Sequence, residues 1–267
     1  MVLDPTALLD VAAEVARAAG ALLRERPDDL RVDAKSTPTD AVTVMDRAAE
    51  ALILEQLARL RPGDGVLAEE GGDRAADGDV IWVVDPLDGT VNYLYGIPSY
   101  AVSLAAEVGG SAVAGVVYDV CRDQLYAATR GGGATCNGSP LRCTSQPDPA
   151  MALVATGFGY APQLRAAQAG VLRTVLPKVR DIRRIGSAAL DLCAVAAGRV
   201  DAFFEAGMKR WDWSAGVLIA EEAGAVARGV GGRPPGRGTT LVANARLFTA
   251  LESLLLEAGT DEVDVEA

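Results

Sequence analysis

Val80-Ile81-Trp82-Val83-Val84-Asp85-Pro86-Leu87-Asp88-Gly89-Thr90 joins five consecutive apolar residues to a turn that carries two carboxylates. A continuous apolar run of this length, rich in β-branched side chains, predicts a buried strand, and Asp85 places a charge at its C-terminal end. Pro86 fixes its own φ, lacks an N–H donor and forces Asp85 to be extended, so the chain turns sharply just beyond the strand. Asp85 and Asp88 then converge on one point, with the Leu87 carbonyl between them. Gly89 and Thr90 supply backbone N–H groups, and a short helix beginning there would offer its N-terminus to a phosphate. Pro, Asp and Gly are equally at home in an ordinary turn. The motif therefore takes its meaning from what the rest of the chain brings to it.

Upstream, apolar residues at helical spacing predict a helix over 6–24, closed by Pro27, and a second amphipathic helix from about Thr43 to Leu60. Arg61-Pro62-Gly63-Asp64 reads as a turn, followed by a short strand leading into Glu69-Glu70. Downstream, Tyr100 to Tyr126 reads as an antiparallel meander, and Arg130 to Arg142, with Gly131-Gly132-Gly133 and Asn137-Gly138, as a further hairpin. A helix from Pro162 to Leu176 follows, then a strand from Asp181 to Ile185 and a helix from an N-cap at Ser187 to Ala197. The strand Val200 to Glu205 precedes a helix opened by Asp212 and stopped at Gly224. Gly229 to Gly238 is a loop and Thr240 to Ala243 a strand, and Asn244 caps a last helix before an acidic tail. Sheets interleaved with the helices that must cover them predict a layered α/β (α+β) arrangement. With no repeat and no long polar linker, 1–267 reads as a single domain of two closely packed subdomains, roughly 1–145 and 146–258.

Composition narrows the chemistry. A chain of 267 residues, half of them hydrophobic, buries about three quarters of its unfolded surface and needs no staples. Cys121, Cys136, Cys143 and Cys193 form no CxxC pair and are expected as reduced thiols. The sequence contains no histidine, which removes Ser-His-Asp and Cys-His catalysis and any Cys/His metal site. Its formal charge of -11 argues against nucleic acid and anionic membranes as partners. No run approaches the roughly 20 apolar residues of a membrane span, and the start of the chain lacks the pattern of a signal peptide. A soluble, cytoplasmic protein is the expectation.

Two further segments carry acids in suggestive places. Glu69-Glu70 ends a predicted strand, and Trp211-Asp212-Trp213-Ser214-Ala215-Gly216 starts a helix. Alone, the first reads as a solvated edge and the second as a cap. If Glu69, Asp85, Asp88 and Asp212 share a cleft, each pair about 4 Å apart costs about 4 kcal/mol at an effective dielectric near 20. Such a cluster calls for cations, and oxygen-only ligands suit a hard ion such as Mg²⁺. The chemistry implied is metal-assisted hydrolysis of a phosphate ester, with Glu69, Thr90 and Asp46 as candidates for handling the attacking water.

In this order and spacing, Glu69-Glu70, Asp85-Pro86-Leu87-Asp88-Gly89-Thr90 and Trp211-Asp212-x-x-Ala215-Gly216 resemble the signature of the lithium-sensitive, Mg²⁺-dependent phosphomonoesterases. Lys35 with Asp40 to Asp46, the Gly131 to Gly138 hairpin, and Gly186-Ser187-Ala188-Ala189 with Glu205 narrow the resemblance to the inositol monophosphatase family. It implies a layered αβαβα sandwich, a homodimer, and a small phosphorylated substrate. It also implies metal ligation by Glu69, Asp85, the Leu87 carbonyl, Asp88 and Asp212. Leu87, Asp88, Gly89 and Thr90 would meet the phosphate, Gly186, Ser187, Ala188 and Glu205 would line the alcohol side, and Asp212 would also contact the substrate. Ala68 departs from the family, which usually has glycine before Glu-Glu; a positive φ there would be strained. Histidinol phosphate, fructose 1,6-bisphosphate and adenosine 3′,5′-bisphosphate remain alternative substrates, and a non-catalytic regulatory protein remains an alternative class. Neither glycine-rich stretch ends in the Gly-Lys-Ser/Thr of a P-loop. Arg183-Arg184 reads equally as a phosphate clamp or as a surface pair.

Overall fold

The apolar segments pair into two main sheets in a computed structural model that describes residues 4–30, 32–35 and 37–260. The acidic tail from residue 261 onward lies outside the described residues. Helix α1 (Pro5–Arg24) begins where Asp4 Oδ1 accepts from Thr6 N at 2.9 Å. A hairpin of β1 (Val32–Ala34) and β2 (Ala41–Thr43) precedes α2 (Val44–Leu60). Thr43 caps α2 through its hydroxyl, which accepts from Met45 N at 3.1 Å.

The larger sheet runs β3 (Gly65–Ala68), β4 (Val80–Asp88), β5 (Ala101–Val108), β6 (Ser111–Asp119), β7 (Gln124–Thr129), β8 (Gly133–Cys136) and β9 (Ser139–Pro140), in that spatial order. Only β3 and β4 are parallel. Both faces of this sheet are covered, which is why Val80 to Val84 show no polar alternation. Trp82 and Val84 face α1 and α2 in a core shared with Leu8, Val15 and Ile53. Val83 faces the opposite way, into a second core with Leu192 of α5 (Ala188–Ala196) and Leu218 of α6 (Arg210–Glu222).

Those two helices are covered in turn by a second sheet. It comprises β10 (Leu153–Thr156), β11 (Asp181–Arg183), β12 (Ala202–Ala206), β13 (Ala225–Gly229) and β14 (Thr239–Asn244), in spatial order β11-β10-β12-β14-β13. Phe203 and Val242 meet the central helices. Phe204 and Leu241 face outward onto α4 (Pro162–Val175) and α7 (Phe248–Glu257), against Val171 and Leu251. The layers are therefore αβαβα, as expected.

Three boundaries differ from the sequence reading. Strand β4 continues through Asp88, with a bulge: Asp85 pairs with Ser103 and Asp88 with Ala101, so one extra residue is inserted at the proline that cannot donate. The β1–β2 hairpin, β10 and β13 were not expected; β1 is exposed along its length and offers no alternation. Asn244 does not cap the last helix. Its Oδ1 accepts from Arg246 N and Leu247 N, closing the turn ahead of α7.

Helices α5 and α6 cross closely because Gly216 has no side chain: a Cβ there would fall 2.7 Å from Leu192 Cδ1. Gly216→Val is expected to lower stability by about 1–3 kcal/mol through overpacking, read as a fall in the urea midpoint. An unchanged midpoint would show that the helices part without cost.

Candidate active site

Three separate segments deliver the four acids: the end of β3, the end of β4 and the start of α6. Glu69 follows β3, its N–H bonded to Val84 O at 3.2 Å, so it stands beside the end of β4. The turn after it is fixed from α2, where Glu50 accepts from Glu70 N at 2.8 Å and Gly72 N at 3.1 Å. Ala68 lies in extended backbone; the described non-glycine residues with positive φ are Asp123 and Asn137. Alanine is thus unstrained where the family usually has glycine.

Asp85 is buried, and its Oδ1 accepts from Leu87 N at 3.0 Å, folding the carboxylate back over the bulge. Gly89 follows with φ +94°, opening α3 (Thr90–Tyr95). A Cβ on Gly89 would fall 3.0 Å from Ser99 O and 3.3 Å from Gly186 O. Both its torsion and its surroundings require glycine.

Asp88 reaches across to the start of α5. Ser187 Oγ donates to Asp88 Oδ2 at 2.5 Å and Ala189 N at 2.7 Å. Ser187 is also the N-cap of α5, accepting from Leu190 N at 3.3 Å. Asp212 is the third residue of α6, not its cap; that position belongs to Lys209, whose N–H donates to Asp212 Oδ2 at 2.6 Å. The first residue of α6, Arg210, ion-pairs with Glu107 of β5, which is 2% exposed and also accepts from Ser214 Oγ. This anchor ties the start of α6 to the larger sheet.

Every residue expected at the site except Asp46 lines one cavity of about 490 Å³, within the range of small-molecule sites. Asp46 lies behind it. Its Oδ1 accepts from Thr90 Oγ1 at 2.8 Å, and its Oδ2 from Thr43 N at 2.8 Å. The single Thr90 hydroxyl proton also faces Leu87 O at 3.0 Å, and the ionised acceptor is the stronger of the two.

Burial pushes the Asp85 and Asp212 carboxyls well above the usual range; Glu69 and Asp88 add to both, and Asp212 adds to Asp85. Burial raises Glu69 as well, opposed by Lys35, whose Nζ pairs with Glu69 Oε1 at 2.8 Å and with Glu70. Among the described residues, no three acidic or thiol side chains are arranged so that they could hold a metal ion together. Glu69 is engaged by Lys35, and Asp88 by Ser187 and Ala189.

On the other wall, Glu205 of β12 packs against Gly157, where a Cβ would fall 2.0 Å from Oε2. Burial and then Asp88 push Glu205 up to about 7. Sequence reasoning missed the pairing of Lys35 with Glu69, and it missed Asp191, Phe158, Tyr160 and Lys209 as lining residues. Asp191 had a legible signal: it is the one charged residue in the otherwise apolar Ala188–Ala196. Of the arginine pair, Arg184 lines the cavity, with its guanidinium carbon 6.0 Å from the Phe158 ring centroid, whereas Arg183 pairs with exposed Asp181.

The sequence profile of the inositol monophosphatase family matches residues 4–260. The chain is 48% identical over 262 residues to an inositol-1-monophosphatase of Mycobacterium tuberculosis, a match covering 91% of this chain and 90% of that one. It is 42% identical over 224 residues to the Nus factor SuhB of Escherichia coli, covering 82% and 84% of the two chains. The fold matches that of the Thermotoga maritima IMPase with a TM-score of 0.87 at 28% identity, covering 96% of this chain and 99% of that one.

Two expectations follow from the geometry. Ser187→Ala removes both the α5 cap and a donor to Asp88, so it is expected to cost about 1–2 kcal/mol in urea unfolding. Ser187→Thr is expected to restore most of that; equal loss in both variants would show that the hydroxyl is not what matters. The raised Glu205 gives a pH effect in chelator-treated protein. Below about 4.5, its ordinary value, the group is protonated in both the folded and unfolded chain and contributes nothing. Between 4.5 and about 7 the unfolded chain releases this proton while the folded protein keeps it, so stability falls as pH rises. Glu205→Gln is expected to flatten the melting-temperature profile over that window; an identical slope would rule the effect out.

Proposed function

This chain belongs to the inositol monophosphatase family of phosphoric monoester hydrolases, and on that premise we propose that it hydrolyses small phosphate monoesters with Mg²⁺, myo-inositol 1-phosphate foremost. The observation that carries the reading is the convergence of Glu69, Asp85, Asp88 and Asp212, from three segments of the chain, on one cavity beside the Gly89 turn.

The donor set fits a hard cation. Every candidate atom is an oxygen; burial first, and then the neighbouring acids, raise Asp85 and Asp212, and a divalent ion would relieve that cost. Glu69, Asp85, the Leu87 carbonyl, Asp88 and Asp212 would hold Mg²⁺. Bound there, the ion polarises the phosphate and lowers the pKa of water.

The chain's own residues do the rest. Asp46 holds the Thr90 hydroxyl in one orientation, with its proton at Oδ1 of Asp46. Thr90 Oγ1 thereby keeps its lone pairs free to take a proton from water while passing its own to Asp46. The wall of Gly186, Ser187, Ala188 and Glu205 receives the alcohol. Glu205, as a hydrogen-bond acceptor when ionised, suits a ring rich in hydroxyl donors and disfavours a second phosphate. The cytoplasmic location expected from the sequence and the homodimer implied by the family resemblance belong to the same reading.

Phosphate release from myo-inositol 1-phosphate tests it. Turnover is expected with Mg²⁺ and not in excess chelator, and Asp88→Asn is expected to lower kcat at least about 100-fold. Li⁺ is expected to inhibit where Na⁺ at equal ionic strength does not. Undiminished turnover in chelator or by the variant would overturn the metal-dependent reading.

A further inference from the structure

Asp191 is 1% exposed, and its Oδ1 has no hydrogen-bond partner in the protein. A buried carboxyl oxygen left unmatched is costly, and buried polar atoms in native proteins are overwhelmingly paired. Its place in the first turn of α5 gains something from the helix dipole but satisfies no hydrogen bond. The charges that reach it are Glu205 and Asp88, which disfavour ionisation, and Arg184, which opposes them.

Position explains what the oxygen is for. Asp191 lines the same cavity as Ser187 and Glu205. Four residues apart on α5, Ser187 and Asp191 share one face of the helix, about 6 Å apart along its axis. Ser187 fixes Asp88 at the phosphate end. One turn further along, Asp191 lies close enough to Glu205 to feel its charge, and both line the cavity.

We propose that Asp191 is a specificity residue that, with Glu205, receives a ring hydroxyl of a polyol phosphate. The inference rests on the phosphatase reading above. Burial, then Glu205 and Asp88, raise the Asp191 carboxyl well above its ordinary range. In its protonated form it both donates and accepts, as a hydroxyl does.

The test is the ratio of kcat/KM for myo-inositol 1-phosphate to that for p-nitrophenyl phosphate, which offers no ring hydroxyl. In Asp191→Ala the ratio is expected to fall about 10- to 100-fold, and in Asp191→Asn, which keeps the shape and an amide, about 3- to 10-fold. Both variants are expected to melt at or above the wild-type temperature without substrate, because the group removed bonds to nothing in the protein. A ratio that stays within about twofold of wild type in both variants overturns the proposal. So does a melting temperature lowered by about 5 °C or more in both, which marks a structural group. Should Asp191→Ala not fold, the Asn variant carries the comparison. Wild-type protein that hydrolyses neither ester with Mg²⁺ would overturn the phosphatase reading and this one with it. Activity on both esters with an unchanged ratio would overturn this one alone.

Discussion

Glu69, Asp85, Asp88 and Asp212 are brought to one cavity although burial, and then the neighbouring acids, disfavour the ionised forms of Asp85 and Asp212. Each is pinned by a donor that the fold supplies from nearby: Leu87 N for Asp85, Ser187 and Ala189 for Asp88, Lys209 N for Asp212, and the Lys35 ammonium for Glu69. The layering follows from the same need. The ends of β3 and β4 meet the N-termini of α5 and α6, whose first N–H groups carry partial positive charge and donate to Asp88 and Asp212. A protein with a formal charge of -11 thus places its few fixed positive dipoles where an anionic ester would arrive.

What the sequence made legible was what local chemistry determines. The apolar run Val80 to Val84 fixed a doubly covered strand, and Pro86 marked the bulge that folds Asp85 and Asp88 together. Asp212 was placed at the right helix for a partly wrong reason, since it is held at the third position and not at the cap. Lys35 could not be paired with Glu69 from the chain alone, because the partners lie 34 residues apart and the hairpin between them has no periodic signal. Strand β13 hid between a helix-stopping Gly224 and a glycine-rich loop, where its five residues offered too short a run to separate from the loop. Asp191 was overlooked because single acids in helices are usually on a solvated face, although the otherwise apolar Ala188–Ala196 around it was a signal that this helix has no such face.

Absent side chains set the tolerances of the site. Gly89 lets the turn sit against Ser99 O and Gly186 O, Gly157 lets Glu205 lie flat against backbone, and Gly216 lets α5 and α6 approach. Each is a point where two segments that bear functional groups come within van der Waals contact, so the spacing of the acids is set by backbone and not by flexible side chains.

The bond between Asp88 and Ser187 spans 99 residues, and that between Asp88 and Ala189 spans 101. A ribosome adding about 5–20 residues per second needs about 5–20 s to cover such a distance. During that interval the strands around Asp85 and Asp88 are already made, while the donors that steady Asp88 are not. The nascent chain therefore meets the full set of acids only once α6, which carries Asp212, has been made, after the α5 donors to Asp88 are already in the chain.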